Sequence, residues 1–316
     1  MKNLKTTCLL IFALLVPVFA FSQIHEAKAL PGIYRTQANH QGKVVKLDYQ
    51  AHRYDSDTLI IKHCYVYLPW GYDDHPEQKY DILYFMHGGG STAEKFLGGL
   101  DSISINRNNL DHMIEEGRIP ATIVVTPSFY RNDYREDPLP EADKCVEIFP
   151  RELVEELIPA VEGKFRTFAK STSKADIMES RDHRAFAGFS MGGVTTWWVF
   201  AKAKDYIKYF VPLSGDCWCV QQMGGKNAPE ETAKKLAEYA AKGNQDFVVY
   251  SLTGSEDSAV NQLTPQIEAM KKQSIFRFGN DFTKDNLFFS VFPGGLHDSA
   301  IYAAYYLYNA LPAFFK

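Results

Sequence analysis

Apolar positions fall into two rhythms along the chain. Residues 80–86, 121–126, 209–213, 247–252 and 287–292 are short, dense apolar runs. Runs of that kind suit strands covered on both faces. Between them lie segments with helical spacing. In 149–165, Leu153, Leu157 and Val161 share one face, and Glu152, Glu155, Glu156 and Glu162 the other. Helices are also predicted over 109–117, 194–203, 228–242, 261–273 and 301–315. Residues 24–58 alternate instead, as in Val44-Val45-Lys46-Leu47-Asp48-Tyr49, and predict antiparallel strands opening a sheet. Another strand is expected at 64–69. Two polar stretches read as loops: 128–140, with Tyr130, Arg131, Tyr134 and Arg135, and the Ser/Thr-rich 170–181. Strand and helix alternate without a linker or repeat, which predicts one α/β domain on a mostly parallel central sheet.

The N-terminus breaks this rhythm. Lys2 and Lys5 precede an apolar run over 8–21, and Ala20-Phe21-Ser22 offers small residues at a cleavage site. This reads as a secretory signal peptide spanning 1–22, cut after Ser22 or, alternatively, Ala20. It is too short for a membrane anchor. The expected mature domain, 23–316, is an exported protein, periplasmic or extracellular. With 316 residues, 46% of them hydrophobic, the chain can bury one large core. Its net charge of −4 is spread along the sequence with no basic tract, so no nucleic-acid partner is expected. Export leaves Cys64, Cys145, Cys217 and Cys219 in an oxidising setting. A bridge from Cys145 to Cys217 or Cys219 is the expected pairing, with Cys64 a buried thiol. No further Cys or His stands at metal-ligand spacing near Cys217-Trp218-Cys219, so no metal site is expected.

The chemistry sits at the ends of the apolar runs. Gly188-Phe189-Ser190-Met191-Gly192 follows one run and opens a helix. A serine in a sharp strand-to-helix turn between glycines is the pattern of a nucleophile elbow. The Met191 N–H would then face a developing oxyanion from the helix N-terminus. The 80–86 run ends in His87-Gly88-Gly89-Gly90-Ser91, a loop suited to a second oxyanion donor. Gly89 is the candidate, with Gly88 as the alternative, and His87 is expected to pack beneath the loop. His183, just upstream of the elbow, is expected to order its own loop. A serine nucleophile needs a base and a group to orient it. Of nine histidines only His297 follows Ser190, after a strand end and two glycines. The acid is Asp257, with Glu256 the runner-up; Asp216 stands one strand early for that role. This machinery needs no cofactor.

Val124-Val125-Thr126-Pro127, Gly188-Phe189-Ser190-Met191-Gly192-Gly193, Pro212-Leu213-Ser214-Gly215-Asp216, Thr253-Gly254-Ser255-Glu256-Asp257 and Asn309-Ala310-Leu311-Pro312-Ala313-Phe314-Phe315 together resemble the feruloyl esterase modules of bacterial xylanases, in carbohydrate esterase family 1. The resemblance runs from about Gly42 to the C-terminus. It implies an α/β-hydrolase fold, a Ser190–His297–Asp257 triad, and oxyanion donors at Met191 and Gly89. It also implies hydrolysis of hydroxycinnamate esters on arabinoxylan, so the expected partner is a polysaccharide or oligosaccharide ester. Some relatives carry a tryptophan just after the histidine, where this chain has Asp298 and Ser299. Trp218 is the candidate to wall the acyl pocket instead, with Asp216 beside it in substrate binding. An acetyl-xylan esterase or general carboxylesterase is the alternative within enzymes. A non-catalytic sugar-binding relative is the alternative outside them.

Overall fold

A computed structural model describes residues 27–53, 56, 58–130, 139–244 and 246–315. The stretch 1–22, expected to be a signal peptide, and Arg131, Tyr134 and Arg135 lie outside the described residues. Among the described residues, eight strands form one sheet: β1 (Lys43–His52), β2 (Leu59–Leu68), β3 (Asp81–Met86), β4 (Thr122–Thr126), β5 (Arg184–Phe189), β6 (Tyr209–Leu213), β7 (Val248–Gly254) and β8 (Leu287–Phe292). Their spatial order is β1-β2-β4-β3-β5-β6-β7-β8. β1 and β2 pair antiparallel, as does β2 with β4; every later pairing is parallel. The alternating N-terminal segment therefore forms the edge, and the dense apolar runs form the interior.

The helices are α1 (Ile105–Glu115), α2 (Leu139–Glu152), α3 (Ile158–Glu162), α4 (Lys174–Glu179), α5 (Met191–Ala203), α6 (Gly224–Asn227), α7 (Pro229–Ala240), α8 (Val260–Met270) and α9 (Ser299–Ala310). They cover both faces of the sheet, and the strands sort their side chains by alternation. Tyr84, Met86 and Phe186 join Trp197, Phe200, Leu263 and Ile267 in one apolar cluster, on the side of α2, α5, α7 and α8. Leu83, Phe85, Ala187 and Phe189 join Leu110, Met113, Tyr306 and Leu307 in the other, on the side of α1 and α9. The site sits at the C-terminal edge of this sheet, between the two layers.

Two helical expectations are corrected. The helix expected over 149–165 begins at Leu139, inside the stretch read as polar loop, and ends at Glu162. It is not uniform. Pro150 removes one ladder N–H, and a π turn over Leu153–Leu157 follows. The loop expected over 170–181 contains α4, whose N-cap Ser173 accepts from the Asp176 N–H at 3.2 Å. The cysteine expectation is also overturned: Cys64, Cys145, Cys217 and Cys219 form no disulfide. The buried Cys217 thiol hydrogen-bonds Cys219, and burial above all pushes its pKa well up. Its N–H is held by Gln266 Oε1 at 2.7 Å.

Candidate active site

The elbow begins with crowding. β5 runs into α5 with almost no connecting chain, so Ser190 takes φ 59°, ψ −117°, which a residue with a side chain adopts only under constraint. Two bonds fix it: the Ser190 N–H donates to Leu213 O at 2.9 Å, and Ser190 O accepts from the Val194 N–H at 3.0 Å. The glycines are needed for approach. A Cβ on Gly188 would stand 2.3 Å from Gly192 O, and one on Gly192 would stand 2.1 Å from Met86 O. The backbone of the elbow thus lies directly against the end of β3 and its glycine loop.

Asp257 follows the end of β7 and His297 the end of β8, two and three strands across the sheet from β5. His297 Nδ1 lies 2.9 Å from both Asp257 carboxylate oxygens, and Nε2 lies 2.9 Å from Ser190 Oγ. A carboxylate only accepts, so Nδ1 carries the proton and Nε2 is the acceptor facing the serine hydroxyl. The Asp257 side chain is fully buried and also accepts the Ala259 N–H at 2.8 Å. The imidazole is 44% exposed, so it stands at a solvent-reachable mouth. Glu256, the alternative acid, is exposed and lies beside Ser255 Oγ, not His297.

The glycine loop is braced from below. His87 is buried; its Nδ1 donates to Gly88 O at 2.8 Å, and its Nε2 accepts from Ser128 Oγ at 2.9 Å. Burial lowers its pKa to about 4, so it is a neutral strut. Ser128 O accepts from the buried Lys62 ammonium at 2.8 Å, and Lys62 is paired with Glu152 at the same distance. Above the strut, the Gly90 N–H donates to Tyr130 Oη at 2.7 Å. The N–H groups of Gly89 and Met191 have no acceptor among the described residues. His183 Nδ1 meets Asp81 Oδ1 at 2.7 Å and its ring stacks on Phe168, tying the start of β3 to the segment before β5.

A cavity of about 540 Å³ opens beside Ser190. Gly89, Met191 and His297 line its mouth, and Trp218, Met223 and Gln262 its walls. Trp218 and Asp216 act as one unit. The Trp218 Nε1–H donates to Asp216 Oδ1 and the Gly225 N–H to Oδ2, both at 2.8 Å. Burial pushes the Asp216 carboxyl up, and these two bonds pull it back. Asp298 turns away from this cavity, accepting the Ala300 N–H at 2.9 Å as the N-cap of α9. Reading the sequence missed Tyr130, Met223 and Gln262 here. Met223 has a left-handed φ of 52°, and no short motif marks any of the three.

The Esterase family model matches residues 62–305. The chain is 36% identical over 301 residues to endo-1,4-beta-xylanase Y of Acetivibrio thermocellus, covering 94% of this chain and 25% of that protein. It is 27% identical over 228 residues to an endo-1,4-beta-xylanase/feruloyl esterase of Xylanibacter ruminicola, covering 66% of this chain and 28% of that protein. It thus spans about a quarter of the length of the curated relatives it matches. Among solved structures, a serine-to-alanine mutant of the feruloyl esterase module from Clostridium thermocellum, complexed with sinapinate, superposes with a TM-score of 0.79. That pair is 37% identical, covering 94% of this chain and 96% of the other. A ferulic acid esterase of carbohydrate esterase family 1 from the fungus Anaeromyces mucronatus shares the fold, with a TM-score of 0.64 at 21% identity over 92% and 98% of the two chains. The chain belongs to the esterase family, and its similarity to a feruloyl esterase module holds over nearly the whole length of both chains.

Proposed function

We propose that this protein is an exported serine esterase that removes hydroxycinnamoyl groups, feruloyl first among them, from xylan. The observation that carries the reading is the hydrogen-bonded chain Asp257–His297–Ser190 at the mouth of a tryptophan-walled cavity. His297 Nε2 takes the Ser190 proton as Oγ attacks the ester carbonyl. Asp257 holds the ring in the Nδ1–H tautomer and stabilises the imidazolium. The N–H groups of Met191 and Gly89 receive the tetrahedral oxyanion. His297 then protonates the departing alcohol, and water releases the acyl group from Ser190 through the same base. The aromatic acyl group lies along Trp218, whose indole is aimed by Asp216. The relatives named xylanase and feruloyl esterase, and the sinapinate bound in the superposed module, support this acyl class.

Ser190→Ala tests the role of the nucleophile. Turnover of methyl ferulate should fall by about 10⁶-fold, the scale seen when such a nucleophile is removed. A fluorophosphonate probe should label the wild type at Ser190 and leave the variant unlabelled. Retained turnover by a pure, folded variant would contradict the assignment.

A further inference from the structure

The glycine loop closes as a tight turn. The Ser91 N–H donates to Gly88 O at 3.2 Å, so Gly88 to Ser91 form a β-turn with Gly89 and Gly90 at its centre. Gly90 has φ 70°. A positive φ at the third position marks a type II turn, which glycine accommodates. Rotating the central peptide, between Gly89 and Gly90, by about half a turn converts type II into type I. Neither glycine has a side chain to resist that flip. This peptide is trans, so Gly89 O points away from the Gly90 N–H. A flip would swing the Gly89 carbonyl to the side the Gly90 N–H now takes, on the wall of the cavity beside Ser190. A carbonyl there would repel an oxyanion held by the Gly89 and Met191 N–H groups.

Two side chains grip the turn. His87 Nδ1 donates to Gly88 O at 2.8 Å, which fixes the peptide carrying the Gly89 N–H. Tyr130 Oη accepts the Gly90 N–H at 2.7 Å, which fixes the next peptide. The tyrosine is itself held in place. It is 3% exposed, and its ring packs on Phe129 and His87 with centroids 4.5 and 5.3 Å away. Ser128 ties the two grips together: its Oγ donates to His87 Nε2 at 2.9 Å and accepts the Tyr130 N–H at 3.2 Å. We propose that Tyr130 is a positioning residue for acyl transfer. Its hydroxyl holds the Gly89–Gly90 peptide in the type II orientation, which keeps the Gly89 carbonyl turned from the oxyanion and the Gly89 N–H aimed at it. The inference rests on the esterase reading above.

Tyr130→Phe deletes the hydroxyl and keeps the ring. Gly90→Ala disfavours φ 70° and pushes the same peptide toward the flip by another route. Both are assayed on methyl ferulate and for binding of two inhibitors. One is 2-phenylethenylboronic acid, whose boron takes Ser190 Oγ to give a tetrahedral anion. The other is free ferulate, which forms no such anion. In both variants kcat should fall about tenfold or more, with KM within about twofold of wild type. Affinity for the boronic acid should fall by a similar factor, and affinity for ferulate should hold. A Tyr130→Phe variant that melts earlier but keeps kcat and boronic-acid affinity overturns the proposal, because the tyrosine then only supports the fold. A rise in KM at constant kcat overturns it too, because Tyr130 is then a ground-state substrate contact. If the wild type turns over acetyl esters and not ferulate, the acyl reading falls alone, and the same comparison on ethyl acetate with methylboronic acid decides the proposal. Wild-type turnover of neither class overturns both.

Discussion

At the scale of single residues, the site depends on a few atoms that local geometry places without freedom. Ser190 is forced up by its backbone, and His297 and Asp257 are joined by bonds of 2.9 Å. Sequence order singled out Ser190 and His297, both tied to short local patterns, and the structure brings them within 2.9 Å of each other. Asp257 and Glu256 are neighbours that face different ways, one buried under the imidazole and one in solvent. Periodicity could not separate them; the fold does. In the proposed function, acyl preference turns on Trp218. Trp218→Ala removes an aromatic wall and leaves Asp216 Oδ1 without its donor. Its kcat/KM on methyl ferulate should fall about tenfold or more, and on a small acetyl ester much less. Equal losses on both would mean that Trp218 only supports the fold.

At the scale of elements, the strand–elbow–helix unit was legible because it couples an apolar run, two close-approach glycines and a helix start. The start of α2 was not. Leu139 and Pro140 close a stretch whose earlier residues are polar, and no capping residue or apolar spacing marks a helix start there. A second feature hidden from sequence is the ion pair beneath β5. Arg184 and Glu162 are each about 1% exposed; Nε meets Oε1 at 2.5 Å and Nη2 meets Oε2 at 2.8 Å. Thr167 Oγ1 and Tyr84 Oη also donate to the same carboxylate. Glu162→Ala strands the guanidinium in the core and should cost about 3–5 kcal/mol, read as a lower denaturation midpoint. A change below about 0.5 kcal/mol, the scale of an ordinary surface substitution, would show that water or a relaxed Arg184 replaces the pair.

At the scale of the whole molecule, the sheet brings Ser190, His297 and Asp257 together at its C-terminal edge. Alternating dense runs predicted that sheet, and the antiparallel edge pair as well. The sequence could not show the cavity beside Ser190, because its lining comes from distant segments of the chain. The neutral His87 strut links site and stability. Its pKa falls from the ordinary 6.5 to about 4 on folding, so between those values the unfolded chain binds the proton and the folded chain does not. Stability from this group is therefore complete above pH 6.5 and is lost as pH falls toward about 4. His87→Asn should flatten the fall in melting temperature over that window relative to wild type. An unchanged slope would mean that His87 is not held neutral.

The most direct measurement is kcat/KM of the purified mature wild type on methyl ferulate and on an acetylated xylo-oligosaccharide, side by side. The tryptophan-walled cavity predicts a strong preference for the ferulate. A preference for the acetyl ester would contradict the hydroxycinnamoyl assignment, even with Ser190, His297 and Asp257 acting as described.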